Sequence, residues 1–116
     1  MIDSFDFFSK TPPMRGFRGD TFPLFRVPVT WNYPLEGCTM VVMLEPRHSP
    51  GTVTLTKSMS QYTAQEETGF SVQLNSDETA NLHGVYNVYF VMTDTNDKKY
   101  KRLYGTLEVL DFPEVT

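Results

Sequence analysis

The stretch SDETANLHGVYNVYFVMTD, residues 76–94, opens with helix-starting chemistry and passes through one glycine into strong strand formers. Asn75 or Ser76 can cap a single helical turn through residues 77–82, and Glu78, three residues after Asn75, suits the reciprocal capping box. Leu82 can tuck beneath a sheet, and Gly84 supplies the backbone freedom needed to reverse direction. From Val85 onward, Tyr, Val and Phe alternate as a strand. The reading is a helical turn that crosses between two sheets and delivers a strand.

The neighbouring segments agree with that reading. From Thr21 on, short stretches of period-two alternation recur between turn residues, and none holds a helical i, i+3, i+4, i+7 pattern over a helical length. In FRVPVTW (25–31), Phe25, Val27, Val29 and Trp31 point one way, and Pro28 marks an edge or an interruption because it cannot donate to a ladder. CTMVVMLE (38–45) is apolar on both faces, Cys38, Met40, Val42 and Leu44 against Val41 and Met43, as a central or covered strand is. PRHSPG ends it. TVTLT (52–56) predicts a half-buried strand with Val53 and Leu55 inward, SMSQYTAQEETG (58–69) a polar connection, and FSVQLN (70–75) a strand with Phe70, Val72 and Leu74 inward.

The last two strands predict their own register. With Asn96 and Asp97 at the centre of a TNDK hairpin tip, Tyr86 faces Leu107, Val88 faces Gly105 and Phe90 faces Leu103 on the core side. The reverse side then pairs Tyr89 with Tyr104, Val91 with Arg102 and Thr93 with Tyr100. A helical turn delivering G-x-Y-x-V has the shape of the E-to-F crossover of immunoglobulin-like sandwiches. Tyr86 takes the place of the corner tyrosine, with Gly84 before it, and Val88 stands where antibody-type domains carry their second cysteine. The expected fold is all-β: an immunoglobulin-like sandwich of seven to nine strands, one short helical turn at the crossover and no disulfide.

Composition sets the limits. A chain of 116 residues with 40% hydrophobic residues supports one core. Residues 1–20 form an aromatic, proline-containing arm, 21–110 the sandwich and 111–116 a tail. The arm carries Phe5, Phe7 and Phe8 ahead of Pro12 and Pro13; it serves either as a contact for a neighbour or as a lead-in strand folded onto its own domain. No run approaches the ~20 apolar residues of a membrane helix, and MIDSFDFFSK lacks the regions of a secretory signal, so a soluble chain not exported by its own signal is expected. Net charge is −4 and the ten Lys and Arg are scattered apart from KKYKR at 98–102, so no nucleic-acid partner is expected.

Catalytic chemistry finds no foothold. His48 and His83 have no ligand-spaced companions and are turn residues. Cys38, the single cysteine, is a small core residue rather than a nucleophile. No phosphate loop, nucleophile elbow or zinc motif occurs, and neither cofactor nor metal is expected. Arg18-Gly19-Asp20 spells an adhesive tripeptide but suits a turn, and TNDKK suits a solvated hairpin tip better than a calcium loop.

The face of Tyr89, Val91, Tyr100, Arg102 and Tyr104 is of another kind, since Tyr and Arg enrichment marks interfaces. Either it is one, together with the arm, or the arm or the 57–68 segment covers it. RGDTFPLF, PLEGCTMVVMLE and the run from Val72 to Val109 resemble the small immunoglobulin-like domains of tailed-phage virions, such as the N-terminal domains of baseplate upper proteins and head-fibre or auxiliary capsid proteins. The resemblance covers most of residues 18–109; it departs in the long arm and in the lack of a receptor-binding domain after residue 110. It implies a non-enzymatic virion component whose partners are other virion structural proteins. The alternative is a carbohydrate-binding or adhesive module, with Trp31, Tyr33 and the tyrosine face as stacking platforms for a glycan.

Overall fold

The computed structural model describes residues 14–22, 24–29, 35–64 and 67–111. Asn75 caps α1 (Ser76–Thr79), and both halves of the capping box are made: Asn75 Oδ1 accepts from the Glu78 N–H, and Glu78 Oε1 from the Asn75 N–H, each at 2.9 Å. Leu82 is fully buried under the turn, and Gly84 reverses the chain with φ +93°, a region closed to most side chains. The strand that follows is β7 (Gly84–Thr93), which pairs antiparallel with β3 (Thr39–Pro46) and with β8 (Lys99–Leu110).

Two sheets result. The larger runs β1-β8-β7-β3-β4, with β1 (Met14–Phe17) parallel to β8 and β4 (Leu55–Ser58) on the far edge. The smaller runs β2-β6-β5, from β2 (Phe25–Pro28), β6 (Glu67–Val72) and β5 (Ser60–Ala64). With β2, β6 and β5 in one layer and β3, β7 and β8 in the other, joined by a helical turn between β6 and β7, the strand order is that of an immunoglobulin-like sandwich. The fold is therefore the expected one, all-β, with a single buried cysteine, Cys38, and no disulfide.

The core follows the alternation. Met40, Val42 and Leu44 from β3, Val88, Phe90 and Met92 from β7, and Val27, Phe70 and Val72 from the smaller sheet form one cluster with Leu74, Leu82, Tyr86, Leu107 and Val109. Fully burying each large aliphatic or aromatic side chain contributes about 1.5–3 kcal/mol. The layers also touch at a polar clasp. Lys57 stands opposite the buried Val42 on edge strand β4, and its Nζ donates to Glu78 Oε1 at 2.7 Å and to the Gln73 carbonyl at 2.6 Å. The ammonium thus ties the edge of one sheet to the capping box of the crossover.

Two local expectations are corrected. The half-buried strand expected at 52–56 lies three residues later: Val53 is 43% exposed, and pairing runs from Leu55 to Ser58. The polar connection expected at 58–69 contains β5 and the start of β6, because an edge strand needs no apolar alternation on a side that meets water. Within the arm, Met14–Phe17 form β1 and pair with Leu107–Leu110, in agreement with the lead-in strand that is one of the two alternatives for residues 1–20. Strand β2 ends at Pro28, as a proline on an edge requires.

The terminal hairpin also departs from its expected register. Its loop is three residues: the Asp94 N–H donates to the Lys98 carbonyl at 2.9 Å, the Asp97 N–H returns to the Asp94 carbonyl at 3.1 Å, and Asp97 takes φ +63°. A turn followed by one left-handed residue is a common three-residue hairpin. Asp94 Oδ1 fixes it by accepting the N–H groups of Asn96 and Lys98. Near the tip Thr93 therefore faces Lys99, and Phe90 faces Arg102 rather than Leu103. A bulge between Val88 and Tyr89 absorbs the one-residue difference, so Val88 faces Gly105 and Tyr86 faces Leu107 as expected.

Candidate interaction face

The bulge decides which side chains share a surface. Tyr104 is the extra residue between Leu103, which faces Tyr89, and Gly105, which faces Val88. Its ring turns inward: it is 9% exposed, belongs to the core cluster and meets Phe90 edge-on at 4.7 Å and 75°. Tyr100, opposite Met92, also packs against the core, and its hydroxyl donates to Asp94 Oδ2 at 3.1 Å. Arg102 is exposed, with Nη1 donating to the Lys101 carbonyl at 2.9 Å. Of the five residues expected on one face, Tyr89 and Val91 are brought together on the outer side; Tyr100, Tyr104 and Arg102, which stands opposite the core residue Phe90, are not. Phe5, Phe7, Phe8, Trp31 and Tyr33 lie outside the described residues.

In place of a tyrosine face the outer surface of the larger sheet carries a mixed band. Residues directly opposite across a ladder lie on the same side of a sheet. One row is Leu103, Tyr89, Met43 and Thr56; the next is Lys101, Val91, Val41 and Ser58. Leu103 is 61% exposed, Tyr89, Met43 and Val41 are half-buried, and Val91 is 9% exposed. Leu103 was missed as a surface residue because plain alternation from a four-residue tip places it inside. No signal in the sequence reveals the bulge.

A polar set borders the band. Glu45 Oε1 accepts from the Tyr89 hydroxyl at 3.0 Å and from Asn87 Nδ2 at 3.2 Å, and Oε2 accepts from the Gly51 N–H at 2.7 Å. These donors, the Gly51 amide foremost, hold the Glu45 carboxyl below the usual range, and Glu45 in turn raises the Tyr89 phenol by accepting a hydrogen bond from its neutral hydroxyl. The effect is orientation: the Tyr89 hydroxyl is tethered toward Glu45 while its ring lies in the apolar row. On the other side Lys101 ends the second row of the band, and Lys99, opposite Thr93, stands beyond it.

At the opposite end of the molecule the crossover is pinned. Tyr86 is buried, and its hydroxyl accepts the His83 N–H at 2.7 Å, the contact of a tyrosine corner. The Arg18-Gly19-Asp20 tripeptide is a turn docked on α1. Arg18 Nε donates to the Ala80 carbonyl at 2.9 Å, and the buried Thr79 hydroxyl accepts from the Gly19 N–H at 3.1 Å and donates to the Asp20 carbonyl at 2.7 Å. His83 Nε2 and Arg18 Nη1 both contact Asp111, at 3.1 and 3.5 Å. Asp111 lies 28 positions from His83 in the sequence and reaches it only through the fold.

Among the described residues no group of three His, Cys, Asp or Glu could hold a metal ion, and no helix is long and apolar enough to cross a membrane. Cys38 is buried, and desolvation, with Asp94 nearby, pushes its thiol upward, away from nucleophilic character. No protein-family model matches the chain, and no curated protein matches it.

Proposed function

We propose that the chain is a non-enzymatic structural component of a phage virion, in the head or at the tail or baseplate, that works through protein–protein contacts of its outer sheet face and its aromatic arm. The observation that carries this reading is Leu103, 61% exposed and in register with Tyr89 and Met43 on a rigid sheet. Aromatic and large aliphatic side chains anchored on a fixed scaffold, with a charged border, are the makeup of an interface centre and rim. The arm adds Phe5, Phe7 and Phe8 by composition, three large side chains that each gain about 1.5–3 kcal/mol on burial. The virion assignment rests on the resemblance of the residue 18–109 pattern to phage immunoglobulin-like domains.

The test is incorporation. Wild-type chain co-expressed with the head and tail proteins of its own virion should co-sediment with assembled particles. Leu103→Lys should be lost from them while melting as the wild type does. Equal occupancy of the variant would remove the outer face from the account. Glycan-array binding abolished by Trp31→Ala, with no particle association, would instead establish the adhesive reading.

A further inference from the structure

Four strands end a sheet among the described residues: β1 and β4 in the larger, β2 and β5 in the smaller. An edge exposes a row of backbone donors and acceptors, which proteins blunt with charge, proline or bulges. β1 carries Arg15, β4 carries Lys57, and β2 carries Arg26 and Pro28. β5, SQYTA, has neither charge nor proline, and it pairs with β6 from end to end without a register shift. Ser60, Gln61 and Thr63 are exposed along it.

The direction of the backbone groups follows from how the chain changes sheets. The Met59 N–H still donates to the Met40 carbonyl of β3, at 2.9 Å, whereas the Ser60 carbonyl already turns to β6, where it accepts from Ser71 Oγ at 3.4 Å. Peptide groups alternate sides along a strand, so Ser60, Tyr62 and Ala64 address β6, and Gln61 and Thr63 address the other side, which meets β3 at Met59 and carries no further described strand of this sheet.

We propose that β5 is a strand-addition site and that its occupant is β5 of a second copy of this chain, antiparallel across a two-fold axis, with Gln61 opposite Thr63 of the other copy and Tyr62 opposite Tyr62. In that register the outward groups of Gln61 and Thr63 meet their counterparts in both directions, and a one-residue slip would aim them at no partner. A second copy offers no better match, because each of its other described edges brings an arginine, a lysine or a proline. Residues 58–64 carry no charged side chain of their own, and the charge nearest the two-fold position, the Arg26 guanidinium, lies over the Tyr62 ring at 5.0 Å. Facing tyrosines are a stabilising cross-strand pair. The contact is isologous and closes at two copies. It stands on the sheet edge alone and is independent of the virion reading.

Sedimentation velocity of the full chain over a concentration series should show a monomer–dimer equilibrium. Thr63→Lys should weaken it about tenfold or more without lowering the melting temperature. Adding Gln61→Glu to that variant should restore the dimer, because opposite charges then face each other in the proposed register. Tyr62→Cys should give a reducible dimer on oxidation, its two Cα atoms lying within disulfide reach at about 4.5 Å. A chain that stays monomeric at every concentration overturns the proposal. So does a dimer that Thr63→Lys leaves intact.

Discussion

Removing the Tyr86 hydroxyl tests how the crossover is held. Tyr86→Phe deletes the acceptor of the His83 N–H at 2.7 Å and leaves the ring's packing in place, since the side chain is otherwise buried among Leu82, Leu107 and their neighbours. A typical intramolecular hydrogen bond contributes about 0.5–1.5 kcal/mol net, and an abandoned donor costs about 1–3 kcal/mol when water cannot reach it. His83 lies at the surface and the bond is part-buried, so water can replace some of what is lost. The expected loss is about 1 kcal/mol. For a domain of this size that lowers the melting temperature by about 4 °C and the urea midpoint by roughly 0.5 M, with an unchanged slope. A double variant with Gly84→Ala should lose more, because φ +93° strains any side chain there. An unchanged urea midpoint in Tyr86→Phe would refute the corner's role in stability.

Gly69→Ala should destabilise by about 1–3 kcal/mol, because its added Cβ would collide with the Val27 carbonyl oxygen and push β2 off β6; thermal melting at wild-type temperature would contradict this. Glu78→Gln should matter above the acid range and cease to matter within it. Burial works to raise the Glu78 carboxyl, but Lys57 and the Asn75 N–H outweigh it, so the folded value lies below 4.5. A depressed folded value means stability present above the unfolded value and lost as pH falls through the folded one. Urea melts should therefore separate wild type from variant at about pH 7 and converge as pH drops below about 4.5; a gap that persists in acid would count against the clasp. Deleting residues 1–12, ahead of β1, should leave melting nearly unchanged yet prevent the chain from joining its particle; full occupancy would reject the arm as a contact.

The sequence made the crossover legible because its chemistry is local. Asn75, Glu78, Leu82, Gly84 and Tyr86 lie within twelve positions, and each has one favourable conformation or partner there. β3 was legible because its inward side is uniformly apolar, and β6 only in its second half, where Phe70 and Val72 point inward. The outer face was not. Its composition depends on whether the Asp94–Lys98 turn closes over three or four residues and on a bulge at Val88/Tyr89, and both are decided by pairing energetics between strands. That one-residue difference moves Tyr104 into the core and Leu103 out of it. β5 was hidden for another reason: a polar edge strand flanked by serine and glutamate reads as a loop until β6 supplies its partner.

For the proposed virion role, the most direct measurement is electron cryo-microscopy of particles assembled with the chain. A neighbouring subunit should be seated over Leu103, Tyr89 and Met43, with the Glu45 side and the Lys99–Lys101 side at the rim of the contact. Density showing that face open to solvent, with the chain held through another surface or absent from the particle, would contradict it.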